Sequence, residues 1–455
     1  MEISKSKIFI KLCILVCLLL AIALNNRYII LIILTSIIFL KKNNIYLLFI
    51  ISPLLEAITP ITGSLSWIKY ITFIYFIIFF ILFLTRKIKF VKSFYLTTLI
   101  LLIISIILGI LIFNFKFSMN EIGLVPILSE NLTRMLKIIL SMMLFVDFAN
   151  KNKDTNKKNL YDISINITII LIGLGIYGII NPTELNTWVG SEEYVRSSLG
   201  ELDLNQYAIY LAILIVFPLF NYFSNIKNLR IISLISIGVT IVTILFTLSK
   251  SGILTLIFII VIYFIFINKA FYKEKKSVLI ITSMALLILL WITSNLLNIL
   301  KSRFVNSYST GGLESLTTNR LEYWINGIET TFNNSLIFGF GGANHSGMYI
   351  NYLYTGNYIV MHSIYVSAFV EYGLIGIIMI ILVIYNIVNR FWLIKTTDDK
   401  VLLLPFISTF GLLFAGISIN FMFIDLLWIF LGLSMGCSNH IKYEETKNLL
   451  NNKKP

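Results

Sequence analysis

Runs of about 20 consecutive apolar residues recur along almost the whole of this chain, and nothing else in the sequence restricts the fold as strongly. At 1.5 Å per residue such a run is long enough to cross the hydrocarbon core of a bilayer. Candidate spans centre near 8–24, 28–40, 45–60, 68–84, 95–113, 132–148, 162–180, 204–222, 231–247, 251–267, 277–294, 363–388, 401–419 and 421–436. The second, third and last are short or irregular, so about 12 to 14 spans are expected. Within hydrocarbon each backbone N–H and C=O has to be paired inside its own segment, which makes these runs helices. The expected class is an all-α, polytopic membrane protein. Composition agrees: 58% of residues are hydrophobic, 13% are charged and the mean hydropathy is +0.90, more apolar surface than a soluble chain of this length can bury.

The net charge of +14 could suggest a nucleic-acid partner, but its distribution argues otherwise. With the N-terminus inside, most of the 36 Lys and Arg fall in inner loops and termini, the positive-inside pattern. The inner clusters Arg86-Lys87-Lys89-Lys92, Lys151-Lys153-Lys157-Lys158 and Lys269-Lys273-Lys275-Lys276 suit contact with anionic membrane lipid. No nucleic acid is expected. The first run begins with Lys5, Lys7 and Lys11, but no small-residue cleavage pattern precedes Arg27, so it reads as a retained helix. Cys13, Cys17 and Cys437 lie in or at the ends of membrane runs, without disulfide or metal-site spacing.

The chain divides into helices with short loops over 1–294, a large extracytoplasmic loop over 295–362, and further helices with a cytoplasmic tail over 363–455. A loop of that length is usually functional or disordered, and this one is not low in complexity. Leu321, Trp324, Ile325 and Ile328 recur at helical spacing, which predicts a short amphipathic helix over 319–332, on the outer membrane surface or against the bundle. Gly339-Phe340-Gly341-Gly342 should end it as a turn.

Outward-facing cations stand out because the charge rule disfavours them there. Arg196 precedes a helix beginning near Leu204-Asn205-Gln206, Lys250 sits in Thr247-Leu248-Ser249-Lys250-Ser251-Gly252, and Arg303 and Arg320 lie in the long loop. Arg196, Lys250 and Arg320 together point to an anionic ligand, and the planar arginine fork suits phosphate. His345 and His362 share the loop, His362 at its re-entry into the membrane. An imidazole can take a proton near neutral pH. If one helix ran on from His362, Glu371 would lie about 13 Å along it, too far for a hydrogen bond, and Gly373 and Gly376 would allow close backbone packing. Glu201-x-Asp203 resembles an acidic pair for a divalent ion, but capping of the next helix is the expected role. No metal or other cofactor is expected.

His362-Ser363 with Gly373-x-x-Gly376 resembles the motif of the O-antigen ligase and polymerase superfamily. Three further segments resemble that family in order: Arg196-x-x-x-Gly200 with Asn205-Gln206-x-Ala208, then Thr247–Gly252, then Arg320-x-x-x-Trp324 with Gly339-x-Gly341. Lys250 stands where the family has arginine, and Asn334-Ser335 where it has a proline. The resemblance implies a membrane glycosyltransferase of the GT-C type in the bacterial cytoplasmic membrane, with its site on the extracytoplasmic side. The implied substrate is an undecaprenyl-diphosphate-linked oligosaccharide, with chain-length regulator and flippase proteins as possible partners. His362, Arg320 and Arg196 are the implied catalytic residues, and Arg196, Lys250, Arg303 and Trp324 are expected to bind diphosphate or glycan. The expected reaction is inverting polymerisation of repeat units, as for O-antigen or capsule, with ligation to lipid A core or another acceptor as the alternative. A lipid-linked oligosaccharide flippase is the reading from another class. Mid-helix charge is sparse (Asp425 is the clearest case) and there is no evident internal repeat, which favours the transferase.

Overall fold

A computed structural model describes residues 153–180, 182–185, 194–197, 203–224, 226–267, 320–341, 344–356, 358–395, 399–420 and 426–438, with scattered positions between 47 and 151. They fall into two compact units interleaved in sequence. The first holds described residues up to 50, from 151 to 267 and from 399 to 412. The second holds those from 107 to 149, 320 to 395 and 413 to 438.

In the first unit, α1 (Lys153–Ile180) is followed by a hairpin of β1 (Pro182–Leu185) and β2 (Tyr194–Ser197), then α2 (Leu204–Leu214), α3 (Val216–Tyr222), α4 (Lys227–Phe246) and α5 (Lys250–Phe266). α2 and α3 meet at Ile215 because Pro218 has no N–H to offer the Leu214 carbonyl. Apolar residues such as Ile165, Ile169, Ile172, Leu229 and Ile232 form the core between α1 and α4, and α4 adds a buried hydroxyl stripe to it. Ile231, Leu234 and Ile235 of α4 are exposed, whereas Ser233, Ser236, Thr240 and Thr243 on its other side are buried. Thr243 Oγ1 donates to the Gly175 carbonyl of α1 at 3.1 Å, and Gly175 leaves no room there for a side chain. Between α1 and α3, Ser164 Oγ donates to Asn221 Oδ1 at 3.0 Å and Asn221 Nδ2 to Thr168 Oγ1 at 2.8 Å. Small and hydroxyl residues inside with bare isoleucine outside is how helices associate when the solvent is lipid.

Asp399 receives Lys153 Nζ at 3.2 Å and also Lys157 Nζ, so the start of α1 is tied to the segment that leads through a short 3₁₀ helix (Lys400–Leu403) into α9 (Leu404–Ala415). Burial raises the Asp399 carboxyl, but hydrogen bonds from Lys157 and Lys153 outweigh it and hold the group below its ordinary 3.8. The contribution is therefore full above the unfolded value and disappears as pH falls through the lower folded one. Asp399→Asn should cost about 0.5–1 kcal/mol at pH 7. Melting curves of variant and wild type should converge as pH falls through the folded value of Asp399.

The second unit contains α6 (Arg320–Asn334), α7 (Asn344–Thr355), α8 (Ile364–Lys395), the last three residues of α9, and α10 (Leu426–Ser438). Arg390 Nη1 donates to the Met435 carbonyl at 3.1 Å and Ser438 Oγ at 3.0 Å, satisfying the C-terminal end of α10. The amphipathic helix expected over 319–332 is α6. The second loop helix, α7, was not legible beforehand.

Four described helices are long and apolar enough to cross a membrane: Lys153–Ile180, Leu204–Tyr222, Lys227–Phe246 and Ile364–Lys395. The remaining expected spans are shorter helices or lie outside the described residues. The all-α expectation holds for the described residues apart from the one hairpin.

Candidate active site

Arg320 opens α6, and its Nη1 donates to the Ser418 carbonyl at 2.5 Å, in the turn after α9. One turn on, Trp324 Nε1 donates to the Met361 carbonyl at 2.5 Å. The i, i+4 spacing puts both side chains on one face of the helix. Trp324, expected as a glycan or diphosphate contact, thus spends its only polar group on the peptide just before His362.

His362 is not helical. It precedes α8 by two residues and has φ +48°. Among the described residues only Leu248 (φ +54°) is a second non-glycine with positive φ. Such backbone costs about 1–3 kcal/mol and persists only where the flanks impose it. Here they do: Trp324 holds the Met361 carbonyl, Ile364 N–H donates to the Gly416 carbonyl at 2.8 Å, and Tyr365 OH donates to the Leu413 carbonyl at 2.7 Å.

α8 is broken at Gly373 (φ +60°, ψ −148°), which corrects the reading of one continuous helix through Gly373 and Gly376. In a continuous helix the Val370 and Glu371 carbonyls would accept from Leu374 and Ile375 N–H. Instead the turn after α6 inserts. Phe340 N–H donates to Val370 O (2.9 Å) and Gly341 N–H to Glu371 O (2.7 Å), while Leu374 N–H donates to Leu336 O (2.9 Å) and Ile375 N–H to Ile337 O (3.3 Å). Two lost helical bonds are replaced by four bonds to the turn. Gly339 meets the Glu371 backbone and Gly373 the Ile337 backbone, both at positive φ, so no side chain fits at either. The glycine turn and the Gly-x-x-Gly pair, read as separate signals, are one interlocked element. Glu371, almost fully buried, lies at that joint.

In the first unit, Arg196 lies on β2, paired in register with Thr183. Asp203 Oδ1 caps α2, accepting from Asn205 N–H at 2.9 Å and Gln206 N–H at 3.0 Å, as expected. Ser249 Oγ caps α5, accepting from Gly252 N–H at 3.1 Å, and donates to Asn205 Oδ1 at 2.8 Å. Gly252 abuts Ala208 so tightly that a methyl would lie 2.4 Å from its Cβ. The Asn205–Ala208 and Thr247–Gly252 segments, about 40 residues apart, are therefore packed against each other, with Lys250 half-buried at the head of α5. Gly252→Ala should part α2 from α5 at a cost of about 1–3 kcal/mol, read as a lower melting temperature in detergent.

Arg320, Trp324 and His362 thus share one unit, and Arg196 and Lys250 belong to the other. Arg303 and Glu201 lie outside the described residues. The turn carrying Gly416 and Ser418 anchors both Arg320 and the His362 segment, and nothing in its own sequence signalled that role.

Four described helices long and apolar enough to cross a membrane make this a multi-pass helical membrane protein, and His362 at the entrance of α8 is its strained position. Residues 235–381 match the family model described as O-antigen ligase. That match bears out the resemblance over this stretch, which includes Lys250, Arg320, Trp324 and His362 but not Arg196. No curated protein matches the chain at a significant level.

Proposed function

We propose that this protein is a membrane glycosyltransferase that moves a glycan from a lipid diphosphate carrier to an acceptor hydroxyl at the extracytoplasmic face of the cytoplasmic membrane. The observation that carries this is His362, held at left-handed backbone by flanking hydrogen bonds, beside a helix that presents Arg320, all within the stretch matching the O-antigen ligase model. Strain maintained by its surroundings is characteristic of functional positions.

In the proposed reaction His362 takes the proton from the acceptor hydroxyl as general base. The freed oxygen attacks the anomeric carbon, forming the new glycosidic bond with inversion. The bond from that carbon to the diphosphate breaks, and the lipid diphosphate leaves with the electron pair. Arg320 stabilises the charge that grows on it; Arg196 and Lys250 are further ligands assigned on the resemblance alone, and Arg303 as an outward cation of the long loop. No step calls for a metal.

The family description favours ligation, one transfer to a final acceptor, over the repeat-unit polymerisation expected at first. The test is reconstitution in liposomes with an undecaprenyl diphosphate oligosaccharide and a separate glycolipid acceptor. One transfer to the acceptor is expected. A ladder built on the carrier lipid would instead make it a polymerase. Movement of donor between leaflets without any new glycosidic bond would make it a transporter and end the transferase reading.

A further inference from the structure

We infer that Met361 is the anchor that sets the position of the His362 imidazole, and that Trp324 is a positioning residue acting through it. This rests on the proposed role of His362 as base. The Met361 side chain is buried within the core that Phe340, Ile350 and Val370 build in the second unit. Two glycines from two different helices close on it. A methyl on Gly327 of α6 would lie 2.5 Å from Met361 Cε, and one on Gly347 of α7 would lie 2.9 Å from Met361 Cγ. Asn351 Nδ2 lies 3.7 Å from its Sδ and donates to the Ile359 carbonyl at 2.7 Å, fixing the approach of the chain. Trp324 Nε1 then holds the Met361 carbonyl.

The peptide before His362 is thereby held at both its side-chain and its carbonyl end. The peptide after Ser363 is held by Gly416. A non-glycine residue between two fixed peptides can be kept at φ +48°, and it relaxes when one of them is released. Relaxation swings Cβ, and with it the imidazole. This assigns a use to α7, whose Gly347 and Asn351 form half of the socket and which no sequence motif had marked. Loop helices α6 and α7 are in this view the two jaws of a clamp on Met361.

The test uses the full-length protein in nanodiscs, with histidine labelled at the ring carbons. The chain has three histidines, and the His440 signal serves as reference. Trp324→Phe keeps a ring in place but removes the donor to the Met361 carbonyl. Gly347→Ala keeps that donor and pushes on Met361 from the other side. Both are expected to shift the His362 ring signal in a protein that still folds, with the crowding at Met361 lowering the melting temperature of Gly347→Ala somewhat. In the transfer assay both should lower kcat by ~10- to 100-fold with KM within about twofold, as misplacement of a reacting group does. Unmoved His362 signals in both folded variants, or a fall in kcat/KM carried by KM alone, would overturn the positioning role. If Trp324→Phe fails to fold, the Gly347→Ala spectrum decides. Absence of transfer by the wild type with any donor would count against the proposed reaction, and the spectra would still decide the positioning.

Discussion

Gly373→Ala should be among the most damaging single-methyl changes at the described residues, costing about 3 kcal/mol or more and destabilising the second unit. Two effects add. The backbone at φ +60°, ψ −148° belongs almost exclusively to glycine. The new Cβ would also lie 2.5 Å from the Ile337 carbonyl carbon and oxygen, backbone atoms that cannot yield without breaking the bonds of Leu374 and Ile375 to the turn. Gly339→Ala attacks the same joint from the other side, with its Cβ 2.4 Å from the Glu371 carbonyl carbon. Because each change breaks the same interlock, the double variant should be little worse than either single one. Gly238→Ala is the control: it is helical, nothing lies within 4 Å of its Cβ, and it should be neutral or stabilising by up to about 1 kcal/mol. Thermal unfolding in detergent, followed by size-exclusion fluorescence, separates these cases. A Gly373→Ala protein as stable as the wild type would mean that the turn does not interlock with α8.

His362→Ala should lower transfer by ~10²–10⁴-fold, the usual worth of a general base, with the fold intact. The strain at this residue provides a sharper version. His362→Gly removes the imidazole but also relieves the positive φ, so its melting temperature should equal or exceed that of the alanine variant while activity falls equally. Stability and activity moving apart in this way would identify a residue kept for chemistry rather than for packing. A glycine variant that retains wild-type transfer rates would remove His362 from the mechanism. Arg320→Lys probes the neighbouring cation. Lysine keeps the charge but loses the planar fork, so transfer should fall while the anchor to Ser418 weakens as well.

Local signals were legible where a short stretch of chain decides the outcome by itself. The periodicity of Leu321, Trp324, Ile325 and Ile328 specified α6 because one helix face has to be apolar. Asp203 announced its cap because a carboxylate two or three residues from free N–H groups has an immediate partner. The hairpin that holds Arg196 was missed, since Thr183 and Arg196 pair across a connection rather than through neighbouring residues. Gly373 was misread for a related reason. Glycine in an apolar helical run ordinarily means helix packing, and only the bonds from residues 336–341 reveal a break.

What the sequence determined by itself is the solvent and the class. A chain of repeated apolar runs has to satisfy its backbone inside helices. It also marked His362, Arg320 and Lys250 through their motif segments. Only the tertiary structure decided how those segments work: that Trp324 holds the peptide before His362, that Ser249 reaches Asn205, and that two glycine motifs are halves of one joint. The physical reason is that hydrogen bonds between distant backbone groups carry no side-chain signature. Any residue can supply the carbonyl, and any but proline the N–H, so only the glycines that let the turn and the helix approach leave a trace in the sequence.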